Sequence, residues 1–266
     1  MRRGYVRAVR LLEILAKIEP VLAAQGRLLV LPEDRRIVYV GDTHGDADAA
    51  AQVLERFARP GTVIVFLGDT VDRGPDSEGT LALILEAKRD APEAVHLLMG
   101  NHEAWAVSPF APADFWMSLP QEEARTVGGR LLALPFAAWH PRGILALHGA
   151  LPDVCSVEEI AQIRPGSTNW RRIAWGDWEP AGAEIPVDEI ASRPAFRAET
   201  FATISARLGV KVLVRSHQPT APTYLYDDRC LTLFTSCAYG SGERRVAILK
   251  PEVQPETGRD LALVSI

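Results

Sequence analysis

Apolar residues along the chain gather into short unbroken runs, and five of these runs end abruptly in polar clusters. They read "RIVYV" before "GDTHGD", "TVIVFL" before "GDTVDRGP", "HLLM" before "GNHE", "GILAL" before "HGA" and "VKVLV" before "RSHQP". A short run without polar alternation is the pattern of a strand buried on both faces. Between the first three lie two segments of helical periodicity, "DADAAAQVLERFA" and "SEGTLALILEAKRD", the second stopping ahead of Pro92. Strand, helix, strand, helix, strand implies parallel pairing. The polar clusters then share the carboxyl ends of the strands, where open α/β sheets bind ligands.

The remaining chain is less regular. "MRRGYVRAVRLLEILAKIEP" reads as an amphipathic helix of the fold, because Glu13, Lys17 and Glu19 interrupt any leader-like apolar core. Residues 103–140, rich in Trp, Pro and Phe, are expected to be helical or irregular and to cover the sheet edge beside the site. A further excursion carries "STNWRRIAWGDWEP" and a helix near "FRAETFATISARLG". "CLTLFTS" and "RRVAILK" are strand-like, with Tyr239-Gly240-Ser241-Gly242 expected to join them as a turn, and "LALVSI" closes the chain. Neither a repeat nor a linker interrupts the pattern. The expectation is one domain over residues 1–266, with a motif-bearing core of about 36–250.

Composition narrows the function classes. The formal charge is −5 with acidic and basic residues interspersed, which argues against a broad nucleic-acid or membrane footprint. No stretch approaches the roughly 18 consecutive apolar residues of a membrane span. Cys155, Cys230 and Cys237 are odd in number and lack C-x-x-C spacing, so neither a disulfide framework nor a zinc knuckle is expected. A cytoplasmic protein with reduced thiols is the reading.

The chemistry sits in the five clusters, which collect Asp42, His44, Asp69, Asn101, His102, His148 and His217. Four of the chain's six His and one of its two Asn belong to this set. Carboxylate, imidazole and amide oxygen together suit Mn, Fe or Zn, and the set is too large for one tetrahedral ion. Two divalent ions are the natural count. Gly41, Gly45, Gly68, Gly100 and Gly149 flank these residues, as sharp turns with little room require.

"GDTHG", "GDTVDRG", "GNHE", "HGA" and "RSHQ", in this order from Gly41 to Gln218, resemble the PPP-family serine/threonine phosphoprotein phosphatases of the metallophosphoesterase superfamily. The resemblance implies an α/β fold, a four-layer β-sandwich flanked by α-helices, with a two-metal centre at one edge. It implies that Asp42 and His44 hold one metal, that Asn101, His148 and His217 hold the other, and that Asp69 bridges them. The implied nucleophile is a hydroxide shared by the ions. Four ligands would be neutral, so a net charge of about +1 would remain for a phosphate dianion.

Beside the ligand Asn101, His102 is read as the general acid for the leaving oxygen, and Asp72 resembles the residue that holds its imidazole. Arg73 is the first candidate for a phosphate clamp, since a guanidinium fork matches two phosphate oxygens. A second arginine is expected in "ASRPAFRAE", with Arg193 favoured over Arg197 because it leads into the aromatic residue. Tyr239 resembles a family active-site tyrosine, with a plain turn tyrosine as the alternative. Mn is the expected ion in vitro, with Fe and Zn also suited. Phosphorylated proteins or peptides are the expected partners, without an obligate regulatory subunit. Ala150 and "TSCAYGSG" depart from the common pattern and point to a compact prokaryotic or archaeal type.

Three rival functions stand beside this one. A dinucleoside-polyphosphate hydrolase, such as one acting on diadenosine tetraphosphate, would share the dimetal core, but the intact "DRG" and "GNHE" favour the protein phosphatase. A nuclease would need a basic stripe that the chain lacks. A catalytically inactive phosphoprotein-binding module is disfavoured because every ligand and His102 are present.

Overall fold

Strands that are apolar on both faces need cover on both, and two facing sheets between helices provide it. The computed structural model describes residues 2–180, 193–240 and 244–266. The chain opens with α1 (Arg2–Ala24), β1 (Leu28–Val30), β2 (Arg36–Val40), α2 (Ala47–Phe57), β3 (Thr62–Phe66), α3 (Ser77–Asp90) and β4 (Val95–Leu97). Then come α4 (Asp114–Ser118), α5 (Gln121–Leu131), β5 (Ala137–His140), β6 (Ile144–Leu147), α6 (Thr168–Trp175), β7 (Asp177–Trp178) and β8 (Ala195–Phe196). The rest is α7 (Ala198–Leu208), β9 (Val212–Arg215), β10 (Tyr224–Leu225), β11 (Cys230–Thr232), β12 (Arg245–Leu249) and β13 (Ala262–Ser265).

One sheet runs β13-β12-β2-β3-β4, with β2, β3 and β4 parallel as the strand–helix alternation predicts. The other runs β1-β5-β6-β9-β11-β10, and β6 pairs parallel with β9. Alternate residues divide the core. Ile37, Tyr39, Val63 and Val65 meet Ile144, Ala146, Val212 and Val214 in a cluster drawn from both sheets and from no α-helix. Their neighbours Val38, Val40, Ile64, Phe66, Leu145, Leu147 and Leu213 pack with the helices instead. The N-terminal helix buries Leu11, Ile14, Leu15, Ile18 and Leu22 at helical spacing and packs on α3 and α5. The N-termini of α2 and α3 are capped by Asp46 and Asp76, which accept from Ala49 N at 3.1 Å and Gly79 N at 3.0 Å.

One expectation is corrected. β11 and β12 are not a hairpin about Tyr239: β11 pairs with β9 and β10, and β12 pairs with β2 and β13. Both strands are buried on two faces, and each finds its partners in a different sheet. Of the expected turn, Ser241 and Gly242 lie outside the described residues.

The crossing between sheets is tied where β2 ends. Asp42 bridges Phe234 in parallel, Gly41 N donates to Thr235 Oγ1 at 2.9 Å, and Asp42 N donates to Ser216 Oγ at 2.8 Å. A Cβ on Gly41 would lie 2.4 Å from Leu233 O, so only glycine permits this approach. The five polar clusters, three from one sheet and two from the other, thereby converge at one end of the sandwich.

Candidate metal centre

The loops after β2, β3, β4, β6 and β9 bring Asp42, His44, Asp69, Asn101, His148 and His217 together, each nearly or fully buried. Asp69 belongs to two groups whose potential ligand atoms all lie within 4.8 Å of one another: one with His44 and His102, the other with His148 and His217. His44 Nε2 lies 3.7 Å from oxygens of both Asp42 and Asp69. His148 Nε2 lies 3.2 Å from Asp69 Oδ2, 3.2 Å from Asn101 Oδ1 and 3.1 Å from His217 Nδ1. Asp42 faces both groups, with Oδ1 3.6 Å from His148 Nδ1.

The outward-facing nitrogens settle which ring atoms turn inward. His44 Nδ1 lies 2.9 Å from Val71 O and His148 Nδ1 lies 3.0 Å from Leu67 O, so each donates there and leaves its Nε2 lone pair for a ligand. His217 is reversed: its Nε2 faces Asp177 Oδ1 at 3.5 Å and its Nδ1 faces the cluster. Buried carboxylate, imidazole and amide oxygens with these orientations suit a pair of borderline-hard divalent cations. The donor set therefore fits two such ions.

Holding these groups in one place strains the backbone. His44, Asp69, Asp72, Arg73 and His217 all have positive φ, between 42° and 72°, a region that costs a non-glycine residue about 1–3 kcal/mol. The strain is held by hydrogen bonds. Thr43 N and His44 N donate to Asp69 O at 3.2 and 2.9 Å. Glu103, fully buried, accepts from Asp69 N, Thr70 N and Thr70 Oγ1 at 2.7 Å each and from Gly100 N at 3.0 Å. That carboxylate staples the loop after β3 to the loop after β4. Gly100 permits the contact, since a Cβ there would lie 2.2 Å from Asp69 Oδ1.

His102 stands beside Asp69 but is held differently from the other imidazoles. Its Nδ1 lies 2.6 Å from Asp72 Oδ2, while Asp72 Oδ1 accepts from Phe115 N at 2.7 Å. Trp116 Nε1 donates to His102 O at 2.9 Å, and the Phe110 ring meets the imidazole edge-on at 4.7 Å. Thus the segment after Glu103 does buttress the site. Trp175 extends the wall, with its ring 5.2 Å from that of Phe110 and 6.2 Å from that of His217.

The charges are strongly coupled. Burial pushes Asp42 up to about 7, against the pull of His148. Asp69 is equally buried, yet His148 and His102 outweigh the burial and hold it well below the usual carboxylate range. Burial lowers His44 to about 4 and lowers His217 well below its ordinary value, with Arg193 adding to the second effect. For His148, burial loses to Asp69 and Asp42, and the imidazole rises to about 9. The protein chain thus balances its carboxylates with a proton on His148, which a bound cation would displace.

The expected phosphate-binding residues fall around this cluster. Arg73 Nη1 donates to Pro112 O at 2.9 Å, and its guanidinium also hydrogen-bonds the Tyr239 side chain. Tyr239 Oη lies 3.4 Å from His44 Nε2, so the tyrosine faces the site. Arg193 forms a bidentate pair with Asp177, both contacts at 2.9 Å, and Asp177 in turn faces His217. Arg197 occupies the N-cap of α7. Asp177 and Glu103 were not anticipated as site residues. Glu103 was signalled only by its place in "GNHE", and Asp177 sits in "WGDWEP" with nothing local to connect it to His217 or Arg193.

Residues 35–221 match the calcineurin-like phosphoesterase family. A probable serine/threonine-protein phosphatase of Encephalitozoon cuniculi is 26% identical over 264 residues, 90% of this chain and 55% of that protein. Serine/threonine-protein phosphatase 5 of Homo sapiens is 24% identical over 253 residues, 85% of this chain and 48% of that protein. The chain thus spans about half the length of these curated relatives. A solved protein serine/threonine phosphatase from Saccharomyces cerevisiae superposes with a TM-score of 0.81 at 19% identity, covering 97% of this chain and 89% of that one. No described helix is long and apolar enough to cross a membrane.

Proposed function

The chain belongs to the calcineurin-like phosphoesterase family, and from that premise we propose that it is a metal-dependent serine/threonine phosphoprotein phosphatase. The observation that carries this reading is the Asp69 carboxylate, shared by two ligand groups beside a His102–Asp72 pair. Asp42, His44 and Asp69 would hold one divalent cation, and Asp69, Asn101, His148 and His217 the other. Such ions supply a lowered pKa for water and compensation for phosphate charge.

The chain's own groups do the rest. Arg73 and Arg193 bind phosphate oxygens; Arg193 uses two of its five donors on Asp177, which fixes the fork while leaving donors for the substrate. Tyr239 packs edge-on against His44, as Phe110 does against His102. His102 delivers a proton from Nε2 to the departing serine or threonine oxygen, and Asp72 at Nδ1 keeps the ring protonated and aimed.

By distance alone His102 groups with His44 and Asp69 as if it were a ligand. We assign it instead to proton donation, because its Nδ1 is paired with the buried Asp72 carboxylate at 2.6 Å, whereas His44 and His148 turn Nδ1 to backbone carbonyls.

The deciding experiment reconstitutes the apoprotein with Mn and compares a phosphothreonine peptide with diadenosine tetraphosphate. Turnover of the peptide is expected, and exclusive cleavage of the dinucleotide overturns the reading. A His102→Ala variant is expected to keep both metals and to lose less activity on p-nitrophenyl phosphate than on the peptide. Equal losses on both would remove the acid role.

A further inference from the structure

Asp46 does more than cap α2. It follows His44 and Gly45 directly in the chain, is 3% exposed, and its carboxylate accepts four hydrogen bonds. Ala49 N donates at 3.1 Å, Cys237 N at 2.9 Å, and Arg244 donates through Nε and Nη2 at 2.9 Å each. Capping accounts for the first of these alone, and asparagine or serine would serve it as well. The Arg244 fork is the arrangement in which a guanidinium and a carboxylate pair most strongly and with the most defined geometry. Arg244 also donates to Asp48 Oδ2 at 2.6 Å, and its Nη2 lies 3.7 Å from Cys237 Sγ.

The two attachments to Asp46, at Cys237 and at Arg244, bracket Tyr239 in the chain. Tyr239 depends on such support, because it is 43% exposed and lies outside every strand and helix, and a segment with few buried contacts opens at little cost. Its ring meets those of His44 at 5.4 Å and Phe234 at 5.8 Å. Its hydroxyl lies 3.4 Å from His44 Nε2, and its side chain hydrogen-bonds Arg73. One carboxylate thus joins the loop after β2, which carries His44, to the loop after β11, which carries Tyr239.

We propose that Asp46 and Arg244 are positioning residues, which hold Tyr239 over His44 and Arg73 and thereby set the affinity of the centre for phosphate. The proposal rests on the reading of Tyr239 and Arg73 as phosphate ligands, and it is independent of which molecule carries the phosphate. Without the fork, one backbone N–H is left to hold this stretch on Asp46. Tyr239 then turns away, which withdraws its hydroxyl from phosphate and removes a partner from Arg73.

The test uses the full chain loaded with Zn, a d10 ion that leaves nearby resonances sharp, with its five tyrosines replaced biosynthetically by 3-fluorotyrosine. Tyr239→Phe identifies the Tyr239 fluorine signal. Arg244→Gln is expected to move that signal toward the position of a solvated tyrosine. The same variant is expected to bind inorganic phosphate about tenfold more weakly by calorimetric titration, as for the loss of one hydrogen bond to a charged group. Asp46→Asn keeps a capping oxygen for Ala49 N and should act in the same direction, so it reports even if Arg244→Gln fails to fold. Tyr239→Phe should weaken phosphate to a similar degree, and Arg244→Gln in that background should add little, because one residue acts through the other. A purely structural role for Arg244 would instead give additive losses. An unmoved Tyr239 signal, unchanged phosphate affinity in both fork variants, or additive losses in the double variant overturns the proposal and leaves Tyr239 and Arg73 as phosphate ligands. Absent phosphate binding by the wild type overturns that reading and the proposal with it.

Discussion

Replacing Asp72 by Asn removes one charge from a buried, hydrogen-bonded pair while keeping its shape. Asp72 is fully buried and its Oδ2 lies 2.6 Å from His102 Nδ1. An asparagine can still accept from Phe115 N through Oδ1, so the loop stays tied. Its amide N–H would face Nδ1 and favour the neutral ring. A hydrogen bond to a charged group is worth about 1.5–3 kcal/mol, which corresponds to about 1–2 pH units in the His102 pKa. His102 is raised above its ordinary value, with Asp72 among the causes that outweigh its burial. Donation requires the protonated ring, so activity is present below the folded-state pKa and is lost as pH rises through it. The variant should therefore lose activity at lower pH than the wild type, by about that interval. The assay is kcat against pH on a phosphothreonine peptide with Mn present, repeated with p-nitrophenyl phosphate. The good leaving group needs less protonation, so its alkaline limb should move less. An unmoved limb on the peptide would refute the acid role of His102 and the tuning role of Asp72 together.

Asp69→Asn is expected to reduce bound metal below two ions per chain by elemental analysis, because the shared carboxylate loses its charge; full occupancy would sink the bridging assignment. Glu103→Gln places an amide donor among four donors that now converge on a carboxylate. A loss of about 2–4 kcal/mol in unfolding free energy is expected by denaturant titration, and a loss under 0.5 kcal/mol would deny the staple. His96 is held at about 3 by burial and Lys88, below its unfolded value of about 6.5. The stability it contributes is therefore present above about pH 6.5 and is lost as pH falls toward 3, amounting to about 2 kcal/mol by pH 5. His96→Gln should flatten that acid limb in unfolding experiments, and an unchanged pH dependence would contradict it.

Much of the centre is legible from local order alone. An apolar run names a strand, its last residue marks the carboxyl end, and the motif that follows names the side chain that joins the cluster, so Asp42, His44, Asp69, Asn101, His148 and His217 can be gathered without coordinates. The helices after β2 and β3 follow from their periodicity for the same reason: the relevant neighbours lie within one or two turns of the chain. What sets His102 apart is its pairing with Asp72, 30 positions away, because by distance alone it groups with His44 and Asp69.

Tertiary structure decided whatever depends on partners far apart in the chain. A run apolar on both faces requires two neighbours but does not name them, which is why β11 and β12 look like a hairpin and belong to different sheets. The positive φ at His44, Asp69 and His217 is imposed by hydrogen bonds between loops rather than by residue type. Asp177 meets Arg193 and His217, 16 and 40 positions away in sequence, only after α6 and β9 are packed. Asp46 and Arg244 each look ordinary in the chain, and only the pairing of β12 with β2 brings them together, 198 positions apart. Pattern specifies which face of an element is buried, whereas the identity of what it is buried against is a non-local quantity, and these contacts depend on that second kind.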